Sequence, residues 1–145
     1  MLASAIIFAS GLFAWTLLEY VIHGVLAHRL HTFAAPLHAV HHRDPHAVFA
    51  IRSWIPAGVV WLAALAICGL TAGTLFLSGL LAGFAAYETI HYRLHFCRPS
   101  CAVEARLRAR HLAHHLHEPG RIFGVTNSLW DRVFGTEPEA ARLAD

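Results

Sequence analysis

The chain contains no lysine. All eleven of its basic residues are arginine, and against nine acids they leave a formal charge of only +2. A balance so near neutral gives no electrostatic case for a nucleic-acid partner. Charge of either sign is scarce, at 14% of 145 residues against 57% hydrophobic, far from the composition of a soluble domain. The length leaves room for one domain. Cysteine is scarce as well. Cys68 lies in an apolar run and reads as packing, while Cys97 and Cys101 are four apart and lack the two-residue spacer of zinc and redox motifs. They read as reduced bystanders. No His-Glu-x-x-His occurs, which excludes the zinc-protease motif, and no glycine-rich phosphate loop is present.

Two long stretches lack acidic, basic and histidine side chains altogether. The first runs from Leu2 to Leu18 and stays apolar through Ile22. That is about 20 residues, enough for a helix across a ~30 Å hydrocarbon core. Nothing basic precedes Arg29, so the basic n-region of a signal peptide is missing and a retained span is expected. The second stretch, Trp54 to Tyr87, is too long for one span, and Gly69 to Thr74 reads as a hairpin within it. The expected fold is an all-α integral-membrane bundle of about three spans, 2–22, 54–70 and 74–95. Gly79 and Gly83 are suited to close helix approach. All arginines fall in 29–52 and 93–142, so the positive-inside rule makes 23–53 and 96–145 cytosolic.

What the sequence has in excess is histidine, thirteen in all, none of them in mid-span. Ten form four clusters: His23 and His28; His38, His41 and His42; His91 and His95; His111, His114 and His115. On a helix His91 and His95 share a face, as do the three residues of each His-x-x-His-His. His23 and His28 diverge by about 140° on an ideal helix. Either they serve different ions or the helix distorts at Gly24. Each half of the chain thus offers five imidazoles, the first half 23, 28, 38, 41 and 42, the second 91, 95, 111, 114 and 115. Crowded, desolvated imidazoles are unfavourable without a shared cation, which points to two metal ions with four or five nitrogens each. His31, His46 and His117 stand outside the clusters and read as interfacial surface residues. Glu19, one turn before His23, and Glu88, three before His91, either orient metal-bound imidazoles or neutralise nearby arginines.

The ordered clusters resemble the histidine motifs of the membrane fatty acid hydroxylase and sterol desaturase superfamily. The segment Phe123-Gly124-Val125-Thr126-Asn127-Ser128-Leu129-Trp130-Asp131-Arg132-Val133-Phe134-Gly135-Thr136 is similar to the one that follows the last histidine box in fatty acid 2-hydroxylases and their bacterial relatives. Glu19-Tyr20 and Tyr87-Glu88-x-x-His91-Tyr92 fit too. This resemblance implies a di-iron centre on the cytosolic side of a bacterial inner membrane, ligated by the ten clustered histidines, with zinc able to substitute. O2 is then co-substrate, and one oxygen enters a C–H bond of a membrane lipid, foremost a fatty acyl chain. It implies contacts from Asn127 and Asp131 to the site or its waters. Trp130 and Phe134 read as anchors packing the tail on the bundle.

Two departures from the family pattern shape further expectations. Fuller members have four spans and some carry a fused cytochrome b5, so a separate electron donor is expected here (a ferredoxin, a cytochrome b5-like protein or a reductase). The short loop between His28 and His38, with Pro36 in it, suggests a shallow substrate site, open to completion by a second copy in a homo-oligomer. Sterol or carotenoid hydroxylation, desaturation, and a non-enzymatic metal- or haem-binding protein stay open as alternatives.

Overall fold

The computed structural model describes residues 1–30, 32, 34–49 and 51–138, with backbone only for 51–53. His31 therefore lies outside the described residues. The elements are α1 (Leu2–Tyr20), a π-helical segment (Val21–Arg29), α2 (Ala34–Arg43), α3 (Ile51–Cys68), α4 (Ala72–Phe96), α5 (Ala102–Leu116) and α6 (Leu129–Val133). No strand occurs among the described residues, as expected for an all-α chain.

Helix α1 runs unbroken into the π segment. Together, Leu2–Arg29 (28 residues) and Ala72–Phe96 (25 residues) are long and apolar enough to cross a membrane. The apolar stretch of α3, Trp54–Cys68, is shorter. Its Ile55, Val59, Leu62 and Ile67 are all exposed, a surface suited to lipid rather than to water.

Helices α1 and α4 pack side by side, both running toward the histidines. Gly11 and Gly79 meet at the crossing, where a Cβ on Gly79 collides with the carbonyl oxygen of Phe8 and one on Gly11 with that of Phe76. One turn further on, Trp15 packs against Gly83, where a Cβ would collide with its side chain. Backbones this close gain dispersion contacts that no larger residue permits. The expected result for Gly79→Ala is a markedly lower melting temperature in detergent, because two backbones must separate. Gly58→Ala, at a position with nothing within 4 Å, is expected to leave it unchanged. Equal melting of the two variants would refute the contact.

The hairpin falls where the glycines and threonines place it. Gly69 adopts φ +63°, in the left-handed region, and Thr71 and Thr74 cap α4 reciprocally. Helix α3 returns antiparallel to α4, with Trp61 Nε1 donating to Ser78 Oγ (2.9 Å) and Trp54 Nε1 to the buried Glu88 Oε2 (2.6 Å). Arg93 and Glu104 (2.7 Å) join α4 to α5.

Beyond α5 the chain folds back as a tail whose core is Ile122, Phe123 and Val125. Its polar hub is Asp131, fully buried. Asp131 Oδ1 accepts from Phe123 N (2.8 Å) and Thr136 Oγ1 (2.6 Å), and Oδ2 from Gly124 N (2.8 Å) and Arg110 Nη2 (2.9 Å). Glu137 takes the other arm of the same arginine. Glu19, buried in α1, clamps the next residues, accepting from Val125 N (2.6 Å), Thr126 N (2.9 Å) and Thr126 Oγ1 (2.6 Å).

Candidate metal centre

The ten clustered histidines converge at one end of the bundle, in two groups of five. Within each group one nitrogen of every imidazole lies within 4.8 Å of all the others. The first group is His23, His28, His38, His42 and His114; the second is His41, His91, His95, His111 and His115. This corrects the division by chain halves, because His41 and His114 have exchanged places. The reason is helix geometry. Positions 38 and 42, like 111 and 115, are four apart and stay on one face. The middle histidine of each triplet points about 60° from the first and about 100° from the last, toward the neighbouring group. Each His-x-x-His-His therefore serves both groups.

The five-residue spacing of His23 and His28 is resolved by the π segment. There Leu30 N bonds the carbonyl five residues back, on Val25 (2.9 Å), and the two rings come within 5.2 Å of each other. Such a local widening is rare and concentrates at functional sites. Gly24, inside this segment, lets the tail pack close, because the Phe123 ring lies where its Cβ would be.

Two hydrogen bonds fix tautomers. His23 Nδ1 lies 2.6 Å from the carbonyl oxygen of Phe123, and His114 Nδ1 lies 2.7 Å from that of Arg121. A carbonyl only accepts, so in each ring Nδ1 carries the proton and Nε2 presents a lone pair. Yet these two Nε2 atoms face each other at 3.1 Å. Two lone pairs at that distance repel unless a cation stands between them. The remaining contacts repeat the spacing, with Nε2 of His42 at 3.1 Å from that of His114 and 2.8 Å from that of His38. In the second group His95 Nε2 lies 3.2 Å from His41 Nε2 and 2.8 Å from His111 Nε2. Metal–imidazole bonds of ~2.0–2.1 Å at right angles put neighbouring nitrogens about 2.9 Å apart. The residues present thus fit a metal ion in each group. Buried ring nitrogens of His28, His91 and His115, which have no hydrogen-bond partner among the described residues, fit as well.

Electrostatics favour the ligand form of these rings. Burial, reinforced by the neighbouring imidazoles, pushes His42 down to about 4, His41 to about 3, and His38 and His115 to about 2. Burial lowers His111 and His114 also. Neutral imidazole is the state that binds metal. A cavity of about 310 Å³ opens onto the first group, lined by His28, His38 and His42 with three alanines, Arg43 and Pro119.

The other singled-out residues sit around the groups. Asn127 lies two residues before α6, its Oδ1 accepting from Leu129 N (3.0 Å) and its Nδ2 donating to Thr126 Oγ1 (3.2 Å). Glu19 and Asp131 bind the tail backbone that carries the Phe123 carbonyl, and so reach His23 through it. Glu88 ties α3 to α4 through Trp54. His46 is exposed and stacks on Phe96 (4.9 Å), and His117 is exposed at the end of α5. Sequence reading missed Arg110 and Glu137, which complete the Asp131 hub; Arg110 lies 21 positions from Asp131 and 27 from Glu137. No local motif announces such a pairing, although an arginine directly before a histidine box was a signal.

The sequence profile of the fatty acid hydroxylase family matches residues 8–136. Dihydroceramide fatty acyl 2-hydroxylase FAH1 of Arabidopsis thaliana is 36% identical, over 88% of this chain and 59% of that protein. Human fatty acid 2-hydroxylase is 33% identical, over 94% of this chain and 41% of that protein. The chain therefore spans less than two thirds of these relatives' lengths. Among solved structures, full-length scs7p, in which only the hydroxylase domain is visible, superposes with a TM-score of 0.78 at 28% identity, over 94% of this chain and 57% of that one. The helical bundle, the two membrane-length helices and the histidine groups agree with these matches, and this integral membrane chain belongs to the fatty acid hydroxylase family.

Proposed function

We propose that the chain is the metal-bearing core of a lipid hydroxylase, adding one oxygen atom from O2 to a C–H bond of a membrane acyl chain. The observation that carries this is the pair of lone pairs, on His23 and His114 Nε2, facing each other at 3.1 Å within a group of five. Two iron ions, one per group, supply when bound the redox chemistry that an unactivated C–H bond requires; zinc fills such sites without supplying it. The ten histidines hold the ions, and the Phe123 and Arg121 carbonyls fix two of the rings. Nitrogens only 2.8–3.2 Å apart leave no width for a porphyrin between them, which argues against haem.

The membrane reading follows the arginines. With α3 as a third span the domain fills 1–145, and both arginine-rich regions, 23–53 and 96–145, face the cytosol, in a bacterium the cytosolic side of the inner membrane. The metals then lie where a lipid arrives sideways from the bilayer and a ferredoxin, a cytochrome b5-like protein or a reductase delivers electrons from water. A homo-oligomer completing the substrate site belongs to the same reading. Relatives are named for dihydroceramide acyl and fatty acid 2-hydroxylation, which favours an acyl substrate over a sterol or carotenoid.

Lipidomics of a host expressing the chain tests this. A hydroxylated lipid is expected with the wild type and is expected to vanish with His91→Ala. No change in any lipid class would favour a metal-binding protein without this activity.

A further inference from the structure

The cavity of about 310 Å³ at the first histidine group holds a cation in its wall. Arg43 lines it beside His28, His38 and His42, and no carboxylate among the described residues does. Arg43 is exposed and has no ion pair among the described residues. Asp44, the neighbouring acid, is turned to its own loop, where Oδ1 accepts from His46 N (3.0 Å). Four other arginines are committed elsewhere. Arg93 pairs with Glu104, Arg110 with Asp131 and Glu137, Arg108 donates to the Cys97 carbonyl, and Arg29 lies over the Phe123 ring.

The place of Arg43 in the chain decides what it can hold. It ends α2 and directly follows His42, and it shares the cavity with three members of the first group. An anion on its guanidinium inside the cavity therefore lies beside the imidazoles of that group. The charge there has one sign. Imidazoles ligate in the neutral state, and neither group of five contains a carboxylate, so nothing in them offsets the charge of two ions. Arg43 adds to that excess. Such a place favours a carboxylate over a neutral amide, and the guanidinium fork matches its two oxygens. The rest of the wall is Ala27, Ala35, Ala39 and Pro119. None of them has a hydrogen-bonding side chain, so the space next to the anion suits methylenes rather than a large polar headgroup.

We propose that Arg43 anchors the carboxylate of a free fatty acid in this cavity, and so selects the free acid over acyl chains held in amide linkage. The proposal rests on the hydroxylase reading above. The methylenes next to the anchored carboxylate are then the ones closest to the first histidine group.

Two measurements on the full chain in neutral detergent test this. In the first, the zinc-loaded protein is treated with phenylglyoxal, which modifies accessible arginines, and modification is read residue by residue by mass spectrometry. Saturating octanoate is expected to slow modification of Arg43 about tenfold, by mass action, and to leave the exposed Arg98 unaffected. Octanamide, with the same chain and no charge, is expected to protect neither. Failure of octanoate to protect, equal protection by octanamide, or protection by phosphatidylglycerol as strong as by octanoate would overturn the anchor. In the second, the iron-loaded protein with a chemical reductant acts on an equimolar mixture of palmitate and palmitamide. Arg43→Gln is expected to lower the palmitate-to-palmitamide product ratio about tenfold, the scale of one charge-assisted hydrogen bond. Arg43→Lys is expected to recover part of that loss, and Arg98→Gln to leave the ratio as in wild type. A wild-type ratio in Arg43→Gln would equally overturn the proposal. Charge-selective protection of Arg43 without any hydroxylated product would sink the hydroxylase reading and leave the carboxylate site standing.

Discussion

His114→Ala is expected to reduce bound metal from about two equivalents per chain to about one, and lipid hydroxylation by at least a hundredfold. Changes merely in groups that orient metal ligands already cost 10- to 100-fold, so loss of a ligand costs no less. The informative part is which ion leaves. His114 sits on α5 beside His111 and His115, yet its Nε2 touches those of His23 and His42. Combining His114→Ala with His28→Ala therefore removes two ligands from one ion, and about one equivalent is expected to remain. Combining it with His111→Ala strips a ligand from each ion, and less than one equivalent is expected. Metal analysis of iron-loaded, anaerobically purified protein reads the difference. Were ligands divided by chain half, the two double variants would behave in the opposite order.

This contrast marks what the sequence could and could not reveal. The ten histidines were legible as clusters because their spacing along the chain groups them and leaves His31, His46 and His117 outside. Their sorting was not, because spacing turns the middle histidine of each triplet aside without saying which group lies there, a tertiary fact. Even so, the spacing of His23 and His28 carried a warning, since no regular helix brings residues five apart onto one face. The π segment and the ring of Phe123 against Gly24 are the physical answer. The apolar runs and the Gly69 to Thr74 hairpin were readable because hydrocarbon and tight turns each restrict composition. The tail was the least legible part. Its similarity to a known segment pointed to Asp131 and Asn127, but their work is done on backbone N–H groups, which every residue except proline possesses.

Asp131→Asn is therefore expected to be the most damaging change outside the histidines. It alters one atom, keeps the shape, and should destabilise the detergent-solubilised protein by about 3–5 kcal/mol, the cost of breaking a buried charged pair. Both carboxylate oxygens already accept two donors each, Phe123 N and Thr136 Oγ1 on one side, Gly124 N and Arg110 Nη2 on the other. An amide placed either way sets its NH2 against two donors, so no side-chain flip relieves the conflict. The damage then travels along the backbone. Phe123 loses its N–H anchor, and its carbonyl is the acceptor that holds His23 Nδ1 (2.6 Å). Arg121, whose carbonyl holds His114, lies two residues upstream in the same tail. The first group is thus expected to lose its metal at a lower temperature than the second, seen as two-step release on heating where the wild type shows one. Asn127→Ala, which removes the acceptor for Leu129 N and the donor to Thr126 Oγ1, should cost about 1–2 kcal/mol. If Asp131→Asn melts within 1 kcal/mol of wild type and keeps both metals equally, the tail does not hold the first group in place.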